Sequence, residues 1–295
     1  MTSSLSLASD YKYCEQIIKR HSRSFYYAFS KLPAEKAKAV YAIYAFCRTA
    51  DDSVDENGTR EAQLDALRKL EEDLILFEVR KERDEPMWRA LRDVFNRFDM
   101  DIKPFYDQIK GQYMDIDFSM PETIEDIERY SYYVAGTVGL MLLPIIASKN
   151  CSALQKDAVY LGIAMQLTNI LRDIGEDLTF KNRVYIPREI MVQEKYSVTE
   201  LKQSVINEAF MSVWERMARH AEKLYAKFHR TVHLYDADSC LQVLISARFY
   251  EGILNEVRNN NYDCFTKKQA VSKKRMLAIL NRAYLDLNMK VEESI

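Results

Sequence analysis

The chain contains very few of the residues that turn a polypeptide sharply: seven glycines and six prolines. These 13 of 295 residues are about 4% of the chain, where an average protein has roughly 12%. A β-sandwich or β-barrel needs many tight turns, so this composition argues against both. The sequence also has no glycine-rich phosphate loop of the GxGxxG or GxxxxGK[ST] type. Long helices with few interruptions are what the composition favours.

Apolar residues recur at the three- and four-residue spacing of a buried helix face through most of the chain. One clear stretch is Leu64, Leu67, Leu70 and Leu74. No internal repeat, low-complexity tract or long linker divides the sequence, and 48% of its residues are hydrophobic. We predict one all-α domain over residues 1–295, with roughly ten helices around a sizeable core.

The charge and cysteine patterns limit the possible partners and the compartment. Lysines and arginines number 42 against 44 aspartates and glutamates, a net charge of −2, which predicts no binding to nucleic acid. Five cysteines form no CxxC pair, as is typical of reduced thiols in a cytoplasmic protein. The first ten residues do not resemble a signal peptide. The longest apolar stretch, residues 134–147, is shorter than the ~18 residues that span a bilayer.

The most informative motif is RTADDSVD, residues 48–55. Asp51 and Asp55 are four residues apart, so a helix places their carboxylates on one face, about one turn apart. Like charges at that spacing repel each other and destabilise the helix unless a cation lies near them. Arg48, about one turn before Asp51 and Asp52, can offset one of these charges but not all three.

A second acidic row is predicted in QLTNILRDIGED, residues 166–177. Asn169, Asp173 and Asp177 are spaced by four residues, so on a continuous helix all three side chains would point the same way. Ile170 and Ile174 beside them belong to an apolar stripe. The row is therefore expected at the edge of the core rather than on the outer surface.

A single acidic row is usually a solvated surface, but two rows, each with an arginine beside it and an apolar stripe against it, favour a metal site. Carboxylate and amide oxygens are ligands of hard cations such as Mg²⁺, which also binds water and substrate phosphates. We therefore predict that the two rows face each other and bind a diphosphate bridged by Mg²⁺ ions. The opposing hypothesis is a non-catalytic helical scaffold that binds lipid or a protein partner.

The remaining motifs are less specific. His229 and His233 form an HxxxH pair, but no glutamate follows the first histidine, so a surface pair is favoured over a zinc site. No histidine has the Glu-x-x-His spacing of a di-iron bundle. The 19 tyrosines and 13 phenylalanines either fill the core or wall a pocket that stabilises a positive charge. Small residues in VAGTVG, 134–139, leave room for a long hydrocarbon or for a close helix crossing.

Taken together, these motifs resemble those of the squalene/phytoene synthase family, and most closely its bacterial members that form dehydrosqualene. The resemblance extends from about residue 11 to residue 278. It implies an all-α isoprenoid synthase fold. The segments that carry it, in order, are HSRSF (21–25), RTADDSVD (48–55), Tyr130 with VAGTVG (134–139), QLTNILRDIGED (166–177) and RVYIP (183–187).

The resemblance implies a role for each matching position. The ligands of two or three Mg²⁺ ions would be Asp51, Asp55, Asn169, Asp173 and Asp177, and the four aspartates would be catalytic together with Tyr130. Diphosphate would be bound by Ser22, Arg23, Arg48 and Arg172, and by a late basic position, often Arg in the family, that is Lys267 here. The diphosphate end or the cation path would be lined by Tyr44, Tyr130 and Tyr250. The prenyl channel would be lined by Phe25, Phe29, Val134, Ala135, Val138, Gly139, Leu142 and Gln166.

The activity that the resemblance implies is the head-to-head joining of two prenyl diphosphates through a cyclopropylcarbinyl diphosphate. The short chain, without a C-terminal membrane anchor, favours the branch of the family that uses no reductant. We therefore expect two C15 farnesyl diphosphates to give the C30 polyene dehydrosqualene. The alternatives are two C20 geranylgeranyl diphosphates giving phytoene, and a bacterial squalene-pathway reaction.

Apolar substrates and products make peripheral contact with a membrane a further expectation. A basic stretch near the C-terminus is a candidate for contact with anionic lipid or with diphosphate, or is a plain solvated surface. It consists of Lys267, Lys268, Lys273, Lys274 and Arg275. The oligomeric state cannot be predicted from the sequence.

Overall fold

A computed structural model describes residues 4–292, with side chains described for residues 7–287. No β-strand occurs in this part of the chain, so the predicted all-α class is confirmed. None of the helices within it is both long enough and apolar enough to cross a membrane. In chain order the helices are α1 (Ser4–His21), α2 (Arg23–Phe29), α3 (Ala34–Asp55), α4 (Arg60–Glu78), α5 (Pro86–Arg97), α6 (Lys103–Ile116), α7 (Ile124–Ser131), α8 (Thr137–Ile146), α9 (Cys151–Arg172), α10 (Ile174–Glu176), α11 (Arg188–Gln193), α12 (Val198–Lys202), α13 (Glu208–Thr231), α14 (Cys240–Asn259) and α15 (Lys273–Glu292).

The prediction of roughly ten helices is too low, since residues 4–292 form fifteen α-helical segments. Three of them, α10, α11 and α12, have six residues or fewer and leave little periodicity in the sequence. Two π-helical turns, Tyr132–Gly136 and Asp177–Lys181, and a 3₁₀ turn, Val232–Leu234, lie between the α-helices. The extent of a single domain over residues 1–295 stays a prediction.

Several helices begin where the sequence supplies an acceptor for the free N–H groups of the first turn. Thr123 and Asp126 form a reciprocal capping box at the start of α7. Asn207 caps α13 by accepting from the backbone N–H of Phe210 at 2.9 Å. Pro86 lies in the first turn of α5, where its missing N–H costs nothing.

Helix α9 is the central element of the fold, because it contributes to two hydrophobic clusters. Leu154 and Ala158, near its beginning, pack in a cluster with side chains of α1, α3, α5 and α8. Leu167 and Leu171, near its end, pack in a second cluster with α13 and with the segment 184–201. Both ends of α9 are thus held by the core, which gives the second acidic row a rigid base.

Small residues allow α9 to approach its neighbours very closely. A Cβ atom on Gly162 would lie 2.4 Å from the carbonyl oxygen of Ala135, and one on Gly139 would lie 2.5 Å from that of Ala158. Because both obstacles are backbone atoms, neither could move without shifting a helix. The VAGTVG segment therefore makes a close helix crossing.

We predict that Gly162→Ala destabilises the protein by about 1–3 kcal/mol or more, because the added methyl group overlaps the backbone of Ala135. Alanine would otherwise stabilise a helix interior relative to glycine. Gly58→Ala is the control, since a Cβ there meets nothing within 4 Å. Urea unfolding of the two variants measures the difference. Equal stability of Gly162→Ala and the unmodified protein would contradict the predicted crossing.

Candidate active site

The first acidic row lies at the C-terminal end of α3, where Asp55 is the last helical residue. Two carboxylates at the negative end of a helix dipole are unfavourable without nearby cations. Arg48 forms an ion pair with Asp52, one turn further along α3. Lys181 supplies the second positive charge, with its Nζ 3.1 Å from Asp55 Oδ1.

Asp51 is the most deeply placed carboxylate of this row. Gln112 on α6 donates a hydrogen bond to Asp51 Oδ1 at 2.6 Å. Burial raises the pKa of Asp51 from 3.8 to about 7; the positive charge of Arg48 opposes the rise, and Asp55 and Asp115 add to it. A carboxylate in this position is costly to ionise and is suited to a partner of high positive charge.

The second acidic row is not on one continuous helix, contrary to the prediction. Helix α9 ends at Arg172, and after Asp173 the chain continues as α10 and then as a π-helical turn that begins at Asp177. The backbone N–H of Asp173 still donates to the carbonyl of Asn169, and that of Asp177 to the carbonyl of Asp173, both at 2.9 Å. The three side chains therefore keep their spacing of about one turn across the break.

Gly175 accounts for the distortion at this point. Its backbone N–H donates to the carbonyl of Cys264 at 3.0 Å. A Cβ atom on Gly175 would lie 2.5 Å from the Cα of Phe265. The absence of a side chain thus lets the loop after α14 pack against the second acidic row.

The acids of the second row also have cationic partners. Arg172 donates to both carboxylate oxygens of Asp173, from Nε at 2.7 Å and from Nη2 at 2.5 Å. Lys268 Nζ lies 3.4 Å from Asp173 Oδ1 and 2.7 Å from Glu176 Oε2. Burial raises the pKa of Asp177 from 3.8 to about 7, against the opposing charge of Lys181.

The two rows border the same cavity. Asp51 from the first row and Asn169 from the second both line it, and Lys181 lies close to acids of both rows, Asp55 and Asp177. Among the described residues, no three His, Cys, Asp or Glu side chains are close enough to bind a metal together. Ammonium and guanidinium groups pair with the acids instead.

The oxygen atoms of the two rows nevertheless suit a divalent cation. Asn169 Oδ1 is buried and has no hydrogen-bond partner in the part of the chain described here. Leaving an amide oxygen in that state is costly. Carboxylates next to an amide oxygen form the donor set that Mg²⁺ prefers, so these residues fit the ion.

The cavity measures about 330 Å³ and lies between α2, α3, α8, α9 and α14. Along α9 its lining extends from Arg172 to Ala158, about 21 Å at 1.5 Å per residue. One end is polar and the other apolar, with Leu142, Tyr235 and Val243 at the apolar end. The cavity lining includes twelve residues of the predicted diphosphate and prenyl sites. They are Ser22, Phe25, Phe29, Tyr44, Val134, Ala135, Val138, Gly139, Leu142, Gln166, Arg172 and Tyr250.

Seven predicted site residues do not line the cavity: Arg48, Asp55, Asp173 and Asp177 belong to the acidic rows beside it, and three others lie elsewhere. Arg23 is exposed and does not line the cavity, whereas His21 and Ser22 beside it do. Lys267 is exposed and acts on the charge of Asp263, while the adjacent Lys268 contacts Asp173. Both lysines are exposed, and no periodicity predicts which of the two lies within reach of Asp173.

Tyr130 is the third of these residues. Its hydroxyl donates to Asp115 Oδ1 at 3.0 Å and lies 3.5 Å from the hydroxyl of Tyr185. Arg183 Nη1 is 3.0 Å from the same carboxylate oxygen. Tyr130 does not line the central cavity. It is connected to the acidic rows through Asp115, whose charge helps to raise the pKa of Asp51.

Further side chains, which are not among the predicted site residues, contact the acidic rows, Tyr130 or its partner Asp115. They include Gln112, Asp115, Lys181, Arg183, Tyr185 and Lys268. The position of Lys181, one helical turn after Asp177, is a local signal that indicates it. Gln112 lies 61 residues from Asp51 in the sequence, so its contact depends on how α6 packs against α3.

Comparison with known proteins identifies the same family as the motifs. The squalene/phytoene synthase family model matches residues 18–276. A 15-cis-phytoene synthase from Synechococcus elongatus is 35% identical, over 95% of this chain and 94% of its own. A 4,4′-diapophytoene synthase from Staphylococcus haemolyticus is also 35% identical, over 87% of this chain and 90% of its own. A solved dehydrosqualene synthase with bound ligand is 42% identical, with a TM-score of 0.90 and coverage of 96% of this chain and 98% of its own.

We predict that the metal-free protein becomes less stable as the pH rises from about 4 to about 7. Over this range the folded protein keeps protons on Asp51 and Asp177 that the unfolded chain, with ordinary pKa values of 3.8, has released. Asp51→Asn removes one of these groups. It should give a flatter pH dependence and a midpoint of thermal unfolding (Tm) a few degrees higher at pH 7.5.

Thermal unfolding in the presence of a chelator, at several pH values, measures this effect. Asp65→Asn is the matched control, because Asp65 is an exposed acid on α4, far from the cavity lining. It should leave the pH dependence of Tm unchanged. If the Tm of Asp51→Asn depends on pH as strongly as that of the unmodified protein, ionisation of Asp51 does not destabilise the fold, and the prediction is wrong.

Proposed function

The chain belongs to the squalene/phytoene synthase family and is therefore a prenyltransferase that joins prenyl diphosphates head to head; from this premise we propose that its substrates are two farnesyl diphosphates. The proposed product is the C30 polyene dehydrosqualene, also called 4,4′-diapophytoene, formed through a cyclopropylcarbinyl diphosphate. The reaction ends by loss of a proton and uses no reductant.

The observation that carries this proposal is the change in character along one cavity. Asp51, Asn169 and Arg172 lie at its polar end. The rest of the lining is mostly apolar or aromatic, although it includes Gln108 and Ser246. A prenyl diphosphate has the same division, with a charged head and a hydrocarbon tail. The match supports binding of the tail between α8 and α9 and of the head beside the two acidic rows.

The preference for C15 over C20 substrates is supported by the similarity to the dehydrosqualene synthase, at 42% identity over nearly the whole chain. Buried side chains, including Leu142, Ile146 and Tyr235, line the apolar part of the cavity. Phytoene formation from two C20 substrates is the second candidate, because the Synechococcus elongatus phytoene synthase is 35% identical over 95% of the chain.

We assign two or three Mg²⁺ ions to Asp51, Asp55, Asn169, Asp173 and Asp177. Bound there, the metal would neutralise diphosphate charge and make the diphosphate a better leaving group. The repulsion among these carboxylates and the unpartnered Asn169 oxygen support the assignment. Arg172, which now pairs with Asp173, would be available to the diphosphate oxygens once Asp173 binds the metal, whereas Arg48 pairs with Asp52, which is not among the assigned ligands.

The apolar and aromatic walls would protect the allylic cation left after diphosphate departs. Water would quench such a cation, so an apolar cavity that excludes water favours attack by the double bond of the second chain. The rings of Phe25 and Tyr44, with centroids 6.1 Å apart, present faces that stabilise positive charge. Burial raises the pKa of Tyr44 further above neutrality, so its hydroxyl stays protonated.

The product assay is the direct test. Purified protein with Mg²⁺ and farnesyl diphosphate should release diphosphate and yield a C30 hydrocarbon by mass analysis, with or without NADPH. Geranylgeranyl diphosphate in a parallel reaction should give much less C40 product. A C40 product in excess would favour the phytoene candidate, and no hydrocarbon from either substrate would contradict both.

We predict that Asp51→Ala and Asp173→Ala each lower turnover by at least about 100-fold, because each removes a proposed metal ligand. Asp65→Ala, on the exposed surface of α4, is the control and should keep full activity. Circular dichroism checks that all three variants remain folded. Either site variant with normal turnover would refute the metal role of that residue.

A further inference from the structure

The last helix, α15, has an inner face that packs on the core and an outer face that is exposed. Its inner face packs on the core through Met276, Ile279, Leu280 and the fully buried Ala283. Its outer face exposes three large apolar side chains: Leu277 at 59%, Tyr284 at 54% and Leu285 at 59%. Residues seven and eight positions apart lie on the same side of a helix, so these three form one apolar patch.

The outer face of α15 is also basic where it begins. Lys273 and Lys274 lie one turn before Leu277, on the same side of the helix, and both are exposed. Neither has a carboxylate partner within 4.0 Å among the described side chains, whereas Arg275 pairs with Glu256 and Arg282 with Asp286. The two lysines therefore keep their charges available to an external partner.

The segment that leads into this face reaches the second acidic row. It carries Lys268, which contacts Asp173 and Glu176. Helix α15 itself packs on the side of α14 that carries Gly252, whereas Tyr250 on the other side of α14 lines the cavity. Helix α14 therefore separates α15 from the cavity, and the outer face of α15 is a surface of its own.

We propose that the outer face of α15 docks on an anionic lipid bilayer. Lysines beside exposed leucine and tyrosine side chains are the combination that binds the charged and apolar layers of a membrane interface. The proposed substrates carry hydrocarbon tails, and the proposed product is water-insoluble. Docking on a bilayer would keep the protein close to the phase that dissolves these molecules.

A second exposed apolar group shows why α15 is the better candidate. Ile75, Leu76 and Val79 at the end of α4 are 50%, 37% and 57% exposed. Glu71 and Glu72 precede this group, Glu78 lies within it and the exposed Arg80 and Lys81 follow it, so its charges are mixed. It has the apolar area without an excess of positive charge, which makes it a matched control.

The test is co-sedimentation of the full chain with vesicles, without substrate. Vesicles of phosphatidylcholine and phosphatidylglycerol should bind the protein at low salt, and vesicles of phosphatidylcholine alone much less. Lys273→Ala/Lys274→Ala should weaken binding about 30-fold, from about 1 kcal/mol for each lysine. Leu277→Glu/Leu285→Glu should abolish binding, and Ile75→Glu/Val79→Glu should leave it unchanged.

Three results would overturn the proposal. They are no binding of the unmodified protein to anionic vesicles, equal loss of binding in the α4 and α15 variants, and a dimer in sedimentation that Leu277→Glu/Leu285→Glu dissociates. The last would assign the face to a second copy of the chain. Turnover of detergent-dispersed substrate should be unchanged in all variants. The argument from the product rests on the proposed function, whereas the vesicle assay does not, so the two can fail separately.

Discussion

Repulsion among acidic side chains governs the proposed active site. The rows on α3 and after α9 place carboxylates one turn apart in partly buried positions, where burial raises the pKa of both Asp51 and Asp177. Without a metal, lysine and arginine side chains compensate, as Lys181 does for Asp55. The fold thus holds acids in an arrangement that is unfavourable by itself and that bound cations would relieve.

Helix α9 connects this electrostatic arrangement to the packing of the core. Its last turns carry the polar end of the cavity, and its earlier turns cross the 134–139 segment at Gly162. Gly139, Ala158 and Gly162 also line the cavity. The two hypotheses for these small residues, a close helix crossing and room for a hydrocarbon, are therefore compatible, because missing side chains bring the backbones together and leave space beside them.

Both the cavity and the outer surface follow the same division between charge and hydrocarbon. Inside, an apolar channel ends at carboxylates and arginines, as the binding of an amphiphilic substrate requires. Outside, α15 carries lysines followed by exposed apolar side chains, and the loop before it reaches Asp173 through Lys268. An enzyme that takes amphiphiles and releases a hydrocarbon would benefit from both features.

Composition and spacing alone predict the helical class and the two acidic rows, because helix periodicity and one-turn distances are local properties, whereas the predicted cavity lining comes from the resemblance to the family. Tertiary structure decides what the spacing cannot: the break at Asp173, the contact of Lys268 rather than Lys267 with Asp173, and the place of Tyr130 against Asp115. Each of these depends on a contact between segments far apart in the chain. The approach of the Cys264 loop to Gly175 is such a contact, and it forms only when the helices have packed.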